Sequence, residues 1–446
     1  MKARFLLLAA LLAVVSCGKG DENGGGNGGG NNNGPKYNVD DPITVETPTP
    51  KTEISEVTLD ALGQALVRGG NEFAFKLLPA LCDGKSMVVS PLSLELALAM
   101  TANGAKGQTQ NEMLTALGFY PCSLEPLNAW AKNLLEKLPA VDLDVTLKLV
   151  DAILLSDRYT YRPEFKTAVE TNYYAAAEYM SFEDPQKVLD RVNEWAYRNT
   201  GGLIEKMLDG LSEDAMMLLM NSLYFKAKWQ GTKQEPMFNS DYTTDKDFFL
   251  DGGGAIKVPM MPTSGYFPYA KLDGYRIVGL PYSKGKFFFY VLLPDEKGGD
   301  GLSKLLKKLP SESWSEILPT LTTTTNVLMN LPKFEASGDY LLNDALKSLG
   351  MKQAFDDKQA DFSGMLSDFD TNPLLKIVIA RVLQKSKIRV AEWGTEAAAV
   401  TVVEMYDATA MPIEDQVVFN ADHPFVFLIG EKSSGTILFE GVYSGK

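Results

Sequence analysis

Residues 385–401 read Lys385-Ser-Lys-Ile-Arg-Val-Ala-Glu-Trp-Gly-Thr-Glu-Ala-Ala-Ala-Val-Thr401, and they hold the most informative pattern in the chain. A run typical of a β-strand reaches Glu392, and it is followed by Gly394, which can adopt backbone angles that other residues avoid. From position 395 to position 405, small or apolar side chains occupy the odd positions, whereas both carboxylates occupy even positions. Alternate residues of a strand point to opposite faces. The segment is therefore patterned as a strand with one face suited to burial.

The same segment continues into sequence that is typical of an exposed loop. Val402–Tyr406 is followed by Asp407–Pro412, which is polar and rich in turn-forming residues, and Pro412 is the first proline after Gly394. A strand pattern that runs directly into a loop predicts a segment with two states, one exposed and one paired within a sheet.

Length and composition predict a large globular protein. The chain has 446 residues, of which 45% are hydrophobic, and this is ample for a large core. The formal net charge of -14, from 43 basic and 57 acidic residues, argues against a nucleic-acid partner.

The scarcity of histidine and cysteine limits the chemistry. His423 is the only histidine, so it would have to serve as the base of any Ser-His-Asp or Cys-His arrangement. Sites with several histidine ligands are impossible, no phosphate-binding loop motif is present, and Gly252–Gly254 reads as a turn. We therefore expect no enzymatic activity, no cofactor and no metal.

The N-terminus is typical of an exported lipoprotein. Lys2 and Arg4 precede the apolar run Phe5–Val15, which is too short for a comfortable membrane span. The run ends in Val14–Gly18, which resembles a bacterial lipoprotein cleavage site with Cys17 as the lipidated residue. The alternative is a plain secretory signal in which that cysteine is incidental.

A flexible tether follows this signal. Gly24–Gly34 contains only glycine and asparagine, and a Pro/Thr-rich stretch extends to position 51. We predict a signal peptide over residues 1–16, a lipid-anchored tether over 17–52 and a folded domain over 53–446. No later apolar run is long enough to span a bilayer, so the lipid would be the only membrane contact. We expect an outer-membrane lipoprotein at the cell surface or the periplasmic face.

In that compartment Cys82 and Cys122 either form a disulfide or remain two buried thiols.

Hydrophobic periodicity predicts an α+β domain. Helices are indicated over Asn71–Leu81, with Asn71 as cap, over Leu92–Asn103 behind Ser90-Pro91, and over Gln186–Arg198. Apolar runs indicate strands over Leu218–Phe225, Phe287–Leu293 and Asn326–Leu331, and a terminal hairpin over Pro424–Gly430 and Thr436–Gly441.

These patterns, together with several motifs, resemble the serpins from about Ile54 to Gly445. The motifs occur in the family's order: Val88–Ser93, Asn221–Trp229, Val258–Met261, Leu293–Asp295, Leu331–Phe334, Asp361–Gly364 and Phe419–Phe425. The resemblance implies a single serpin-like domain, with several helices packed on mixed and antiparallel β-sheets and an exposed reactive loop.

The resemblance also implies a function, which is protease inhibition by a suicide substrate. A protease cleaves the reactive loop, is trapped as a covalent acyl-enzyme, and is distorted when the loop inserts into the main sheet. The alternative is a non-inhibitory serpin-fold surface lipoprotein with a binding or structural role. The inward hinge positions hold neither a proline nor a charged residue, and this favours the inhibitor. These positions are Thr395, Ala397, Ala399 and Thr401.

The resemblance assigns roles to residues of the loop. The hinge comprises Glu392, Gly394, Thr395, Glu396, Ala397, Ala398, Ala399, Val400 and Thr401. Counting forward from Gly394 places the reactive bond at Ala408-Thr409, and Tyr406, Ala410 and Met411 are alternatives because the loop is longer when counted back from Phe419. The target would be an elastase-like or chymotrypsin-like serine protease or a papain-like cysteine protease, and the inhibitor a monomer.

Further residues are implied where the main sheet must open. Ser90, Ser93 and Asn221 match a polar cluster of the family, and Trp229 matches the position where insertion begins. Gln384 stands where the family usually has a histidine, so the cluster is expected to lack a titratable member. A family lysine that pairs with the carboxylate at Glu392 is replaced by Pro262, so that carboxylate is expected to be solvated or bound elsewhere.

We predict that Cys17→Ala releases the protein from the membrane, because the lipidated thiol is the only anchor that the sequence indicates. The measurement is the distribution between membrane and soluble fractions, with Cys82→Ala as the matched control. Unchanged membrane association of the Cys17 variant would contradict the anchor.

Overall fold

The helix that begins after Ser90 lies at the centre of the protein. The computed structural model describes Ile43 and residues 56–211, 215–231, 236–372, 374–395 and 416–446. Ser90 caps the helix Pro91–Ala102 with its hydroxyl, and all residues of this helix except Ala97 are buried. A helix that is apolar on every side must be covered on every side. Its contacts with strands of two different sheets meet this requirement.

The helices precede most of the strands. In the part of the chain that the structure describes, the helices are α1 (Ala61–Leu81), α2 (Pro91–Ala102), α3 (Gly107–Ala116), α4 (Leu124–Lys137), α5 (Pro163–Tyr173), α6 (Pro185–Asn199), α7 (Gly301–Lys308), α8 (Trp314–Ile317) and α9 (Asn343–Ser348). The strands are β1 (Met87–Val89), β2 (Thr146–Ser156), β3 (Ala176–Met180), β4 (Met217–Lys228), β5 (Thr244–Phe249), β6 (Ala255–Tyr266), β7 (Tyr269–Leu272), β8 (Tyr275–Pro281), β9 (Phe287–Pro294), β10 (Asn326–Pro332), β11 (Phe334–Leu341), β12 (Leu383–Ala391), β13 (Gly394–Thr395), β14 (Gln416–Asn420), β15 (Phe425–Glu431) and β16 (Ile437–Tyr443).

The strands form three sheets. Sheet A has the order β11-β12-β13-β4-β2-β3, sheet B the order β1-β16-β15-β9-β8-β7, and sheet C the order β14-β10-β6-β5. The pairs β2-β3 and β10-β14 are parallel, and the other pairs are antiparallel. The predicted α+β domain with helices on mixed and antiparallel sheets is confirmed.

Sheet A is covered on both faces. One face contributes to the main core, which also contains α2 and the buried strands of sheet B. The other face packs Val150, Ala152 and Leu154 of β2 against α6, which presents Val188 and Trp195. Successive side chains of β2 point alternately into these two cores, as expected for a strand.

Most predicted elements are confirmed, and one cap is wrong. The structure contains the helices over 92–103 and 186–198, the three strands and the terminal hairpin, with ends shifted by a few residues. Asn71 does not start a helix, because α1 begins ten residues earlier behind the cap Asp60. The Asn71 side chain instead binds the backbone of Gly435 and Ile437 in the β15–β16 hairpin.

The two cysteines of the folded domain are free. Cys82 and Cys122 are each partly exposed, so neither the disulfide nor full burial is found. Partial burial raises the pKa of both thiols. Within the described residues, no helix is both long and apolar enough to cross a membrane, and no group of three or more acidic, histidine or cysteine side chains is placed to hold a metal ion.

Candidate functional site

A slot one strand wide lies in the middle of sheet A. β13 is only two residues long, and it pairs antiparallel with both neighbours, Thr395 opposite Val390 of β12 and opposite Ala227 of β4. Among the described residues, β4 and β12 are not paired with each other directly. Two strands that share a middle strand lie about 9.5 Å apart. We call the facing edges of β4 and β12 beyond Thr395 the slot, because these edges are the ones that an extended β13 would pair with.

Gly394 allows the chain to enter this slot. Its φ of +146° belongs to a region that favours glycine. A Cβ atom at this position would lie 2.1 Å from the carbonyl oxygen of Ala227 and 2.7 Å from Cα of Lys228. Any other residue would push β13 away from β4, so glycine is required here on both steric and conformational grounds.

Thr395 is already packed in the core. It is 1% exposed, and its Oγ1 lies 2.5 Å from the hydroxyl of Tyr282. The ring of Tyr282 stacks on Trp229, with 4.5 Å between the ring centroids. The Trp229 indole donates to the carbonyl of Ala391 at 2.7 Å, and its backbone N–H donates to the carbonyl of Trp393 at 3.2 Å. Trp229 thus holds the turn that leads into the slot.

Glu392 is bound by residues that the sequence analysis did not identify. Lys333, next to β10 and β11, places its Nζ 3.0 Å from one carboxylate oxygen. The Thr243 hydroxyl donates to the other oxygen, also at 3.0 Å. Burial alone would raise the pKa of Glu392, but hydrogen bonds from its own backbone, Lys333 and Thr243 outweigh that effect and lower it. Of the two alternatives, solvated or bound elsewhere, the structure has the second.

Ser90 and Gln384 lock the start of α2 to β12. The Ser90 N–H donates to Oε1 of Gln384, and Nε2 of Gln384 donates back to the Ser90 carbonyl, both at 2.9 Å. The Ser90 hydroxyl donates to the Leu438 carbonyl of β16 at 2.8 Å and also accepts from the Ser93 N–H. This buried cluster fixes one edge of the slot to the central helix and to sheet B.

Asn221 belongs to the opposite edge of the slot. It lies on β4, directly opposite Asp151 of β2, and its Nδ2 donates to Asp151 Oδ1 at 2.7 Å. Asp151 is fully buried, and its Oδ2 has no hydrogen-bond partner in the described structure. The residues of the predicted cluster therefore lie in separate places. Ser90 and Ser93, at the start of α2, lie beside Gln384 of β12. Asn221 lies on β4, and Trp229 follows the last residue of that strand.

Asp151 corrects the expectation that this region lacks a titratable group. Burial raises the pKa of Asp151 from 3.8 to about 7, although the hydrogen bond from Asn221 acts in the opposite direction. An unpaired ionised carboxylate in a core is costly. The only sequence signal for this residue is an acidic side chain within the apolar run that follows Leu147, and its partner is 70 positions away.

Several predicted site residues lie outside the described residues. They are the hinge residues Glu396, Ala397, Ala398, Ala399, Val400 and Thr401, the reactive-bond candidates Tyr406, Ala408, Thr409, Ala410 and Met411, and Cys17.

We predict that Asp151→Asn increases stability in a pH-dependent manner. The raised pKa means that the native state keeps a proton that the unfolded state loses, so the stability of the parent falls as pH rises from about 4 to about 7. Asparagine mimics the protonated acid, so the gain should be near zero at about pH 4 and roughly 3 kcal/mol at about pH 8. Urea unfolding at both pH values measures it.

The matched control for this prediction is Asp157→Asn, at an exposed aspartate just beyond the same strand. This variant should show no pH-dependent gain. An Asp151→Asn gain that is equal at both pH values would contradict the role of ionisation.

Comparison with known proteins places this geometry in one family. The family model for serpin (serine protease inhibitor) matches residues 68–445. A serpin-like protein of Thermococcus kodakarensis is 32% identical over 388 residues, which cover 86% of this chain and 87% of the relative. The leukocyte elastase inhibitor of Homo sapiens is 30% identical over 395 residues, covering 85% of this chain and 99% of the relative.

Solved structures agree with this result. The thermophilic serpin tengpin in its native state aligns with a TM-score of 0.76 and 26% identity, over 90% of this chain and 98% of its own. Human thyroxine-binding globulin, solved with its hormone, has a TM-score of 0.72 at 24% identity over 86% of this chain and 98% of its own, and this similarity concerns the fold alone. The chain belongs to the serpin family, whose family model is described as that of serine protease inhibitors.

Proposed function

We propose that this protein inhibits proteases as a suicide substrate. The observation that carries the proposal is the strand-wide slot between β4 and β12, which Gly394 and Thr395 have already entered. After cleavage of the loop, the residues that follow Thr395 extend β13 through the slot. The protease, held as an acyl-enzyme at the new chain end, is carried along and distorted before water releases it.

The register of β13 supports this proposal on the face towards the core. Continuing both ladders places Ala397 between Phe225 and Ile388, and Ala399 between Leu223 and Ser386. Thr395, Phe225 and Ile388 are all buried, so the odd positions of the inserting strand face the main core. Small side chains there need little space, and they allow the sheet to close around the new strand.

The opposite face of the inserting strand also supports the proposed inhibition, because it carries a charge. If both ladders continued in this register, Glu396 of the inserted strand would lie between Lys226 of β4 and Arg389 of β12. Arg389 already contacts Glu335 on β11. A carboxylate between two cations is favourable near a surface, so the inserting strand presents charge where the sheet offers opposite charge.

Insertion supplies a large driving force. Glu396 to Met405 would add about 33 Å of strand, and each new residue can pair with β4 or β12. At about 1 kcal/mol per net hydrogen bond, the gain is on the order of 10 kcal/mol before apolar burial is counted. Inhibition then requires that insertion be faster than hydrolysis of the acyl-enzyme.

The proposed reactive bond is Ala408-Thr409, and Tyr406, Ala410 and Met411 remain alternatives. An alanine or methionine before the bond suits an elastase-like serine protease, whereas a tyrosine suits a chymotrypsin-like one. A papain-like cysteine protease reads mainly the preceding residues and is a third target class. The relative named as an elastase inhibitor supports the first class.

The proposed location follows from the N-terminal sequence. A lipid on Cys17 would anchor the protein to the outer membrane, and the tether over residues 17–52 would hold the inhibitor away from the bilayer.

We predict that an elastase-like, chymotrypsin-like or papain-like protease forms a covalent complex that survives a denaturing gel, because insertion traps the acyl-enzyme. In parallel, cleavage of the loop should raise the melting temperature of the isolated protein, because the slot is then filled. A protein that is only nicked, with an unchanged melting temperature, would instead have the non-inhibitory binding or structural role.

We predict that Thr395→Arg and Ala397→Pro convert the inhibitor into a substrate. Arginine would bury a charge in place of the hydroxyl that contacts Tyr282, and proline would remove a ladder hydrogen bond from a central strand. Either change should raise the number of inhibitor molecules consumed per protease inactivated by about tenfold, since each kcal/mol lost from insertion slows it severalfold.

Two controls define the specificity of this effect. Thr395→Ser keeps the hydroxyl and should leave that number nearly unchanged, whereas Glu396→Ala removes only an outward-facing charge and should raise it much less than either core-facing change. An equal increase in the control variants would show that the alternation has no mechanistic meaning.

A further inference from the structure

A cavity lies at the end of the slot farthest from Thr395, where β4 and β12 begin. β4 begins at Met217 and β12 begins at Leu383, and the cavity is lined by the start of both strands and by the residues that precede them. The cavity measures about 380 Å³, which is within the range of small-molecule sites in proteins. Near Thr395, by contrast, the slot leaves only about 20 Å³. The cavity is thus a separate feature at the end of the slot farthest from the hinge.

The cavity is apolar inside and positively charged at its rim. Its walls include Met207, Met217, Leu218, Met220, Ile377 and Ile379. Methionine side chains adapt readily to ligands of irregular shape. The charged side chains among the described lining residues are Lys376 and Arg381, both exposed. An occupant that satisfies both parts must be apolar along its length and anionic at one end.

Arg381 is held where it can meet such an anion. Its Nη2 donates to the carbonyl of Gly210 at 3.0 Å, which fixes the guanidinium at the rim next to the loop that follows α6. A guanidinium has five donors, so this contact leaves others to bind a carboxylate in the two-point manner that arginine favours.

We propose that this cavity is a binding site for an apolar carboxylate of the fatty-acid class. The hydrocarbon chain lies among Met217, Leu218 and Ile377, and the carboxylate binds Arg381 with Lys376 nearby.

The chain's own inserting segment has the same chemistry, which supports this choice of ligand. If an inserted strand continued the two ladders of Gly394 and Thr395, it would bring Val402 between Met220 and Leu383 and Glu404 next to Arg381. A single carboxylate flanked by apolar side chains is therefore what the inserted strand would bring to this cavity. A fatty acid likewise combines one carboxylate with an apolar chain, and it has no peptide backbone.

Occupation of the cavity then regulates inhibition, and this consequence rests on the proposed function. A bound chain blocks the path of Val402 and Glu404, so insertion stops before the protease is distorted. Hydrolysis of the acyl-enzyme overtakes insertion, and the ligand turns the inhibitor into a substrate.

The binding test uses intact full-length protein and dodecanoate, followed by titration calorimetry. Dodecanol and dodecyltrimethylammonium are the matched probes, since they keep the chain but remove or reverse the charge. Dodecanoate should bind at least tenfold more tightly than either. Equal affinity of the three probes would overturn the proposed charge recognition, and no binding of dodecanoate would overturn the site.

Variants locate the site. Arg381→Gln and Lys376→Gln together should weaken dodecanoate binding at least tenfold, whereas Arg381→Lys, which keeps the charge but loses the two-point contact, should weaken it less. Lys271→Gln, at an exposed lysine of β7 outside the cavity lining, is the control and should have no effect. Equal melting temperatures of the variants would show that they fold. Unchanged binding by the double variant would place the ligand elsewhere and overturn the assignment.

Loop-cleaved protein separates this proposal from the proposed function. If cleavage raises the melting temperature and abolishes dodecanoate binding, strand and ligand share the cavity. If cleavage raises the melting temperature but binding persists, the proposed site is wrong. If cleavage leaves the melting temperature unchanged, insertion has failed, and the loss of binding in the Arg381 and Lys376 double variant still decides the site on its own.

Discussion

The structure depends on a constraint of backbone hydrogen bonding at the facing edges of β4 and β12, which among the described residues pair with β13 and not with each other. Backbone N–H and C=O groups inside a protein need partners, and β13 supplies them for only two residues at one end. Side chains around the slot hold its two edges in place. Trp229 and Tyr282 hold the entering turn, and Ser90 with Gln384 fixes one edge to α2. Extension of β13 along these two edges would supply backbone partners to both, which is the basis of the insertion that we propose.

The core carries buried carboxyl groups that an ordinary protein of this size would avoid. Asp151 lies beside the slot with one oxygen unpartnered, and Glu440 on β16 is fully buried with both oxygens unpartnered among the described residues. Burial raises the pKa of Glu95, on the central helix α2, to about 8, and burial with the nearby charge of Glu95 raises that of Glu440. Such groups cost stability in the native state.

One slot connects the proposed function with the proposed ligand site. At the end near Thr395 it is lined by Phe225 and Ile388, and at the opposite end lies an apolar cavity with Arg381 among its lining residues. Because the proposed inserting strand would pass from one to the other, a molecule in the cavity would compete with the last part of insertion. The two proposals would then couple inhibition and ligand binding through the same space.

The sequence by itself determined the local features. The cap at Ser90, the helix α6, the buried strands and the parity of the hinge follow from periodicity, capping and glycine chemistry, which act over a few residues. Only the tertiary structure decided which distant residues meet. Glu392 binds Lys333 rather than a residue at position 262, Asp151 pairs with Asn221 across two strands, and Asn71 binds a hairpin 364 positions away. These contacts depend on strand register and helix packing, and no local pattern specifies them because the partners are brought together only when the sheets assemble.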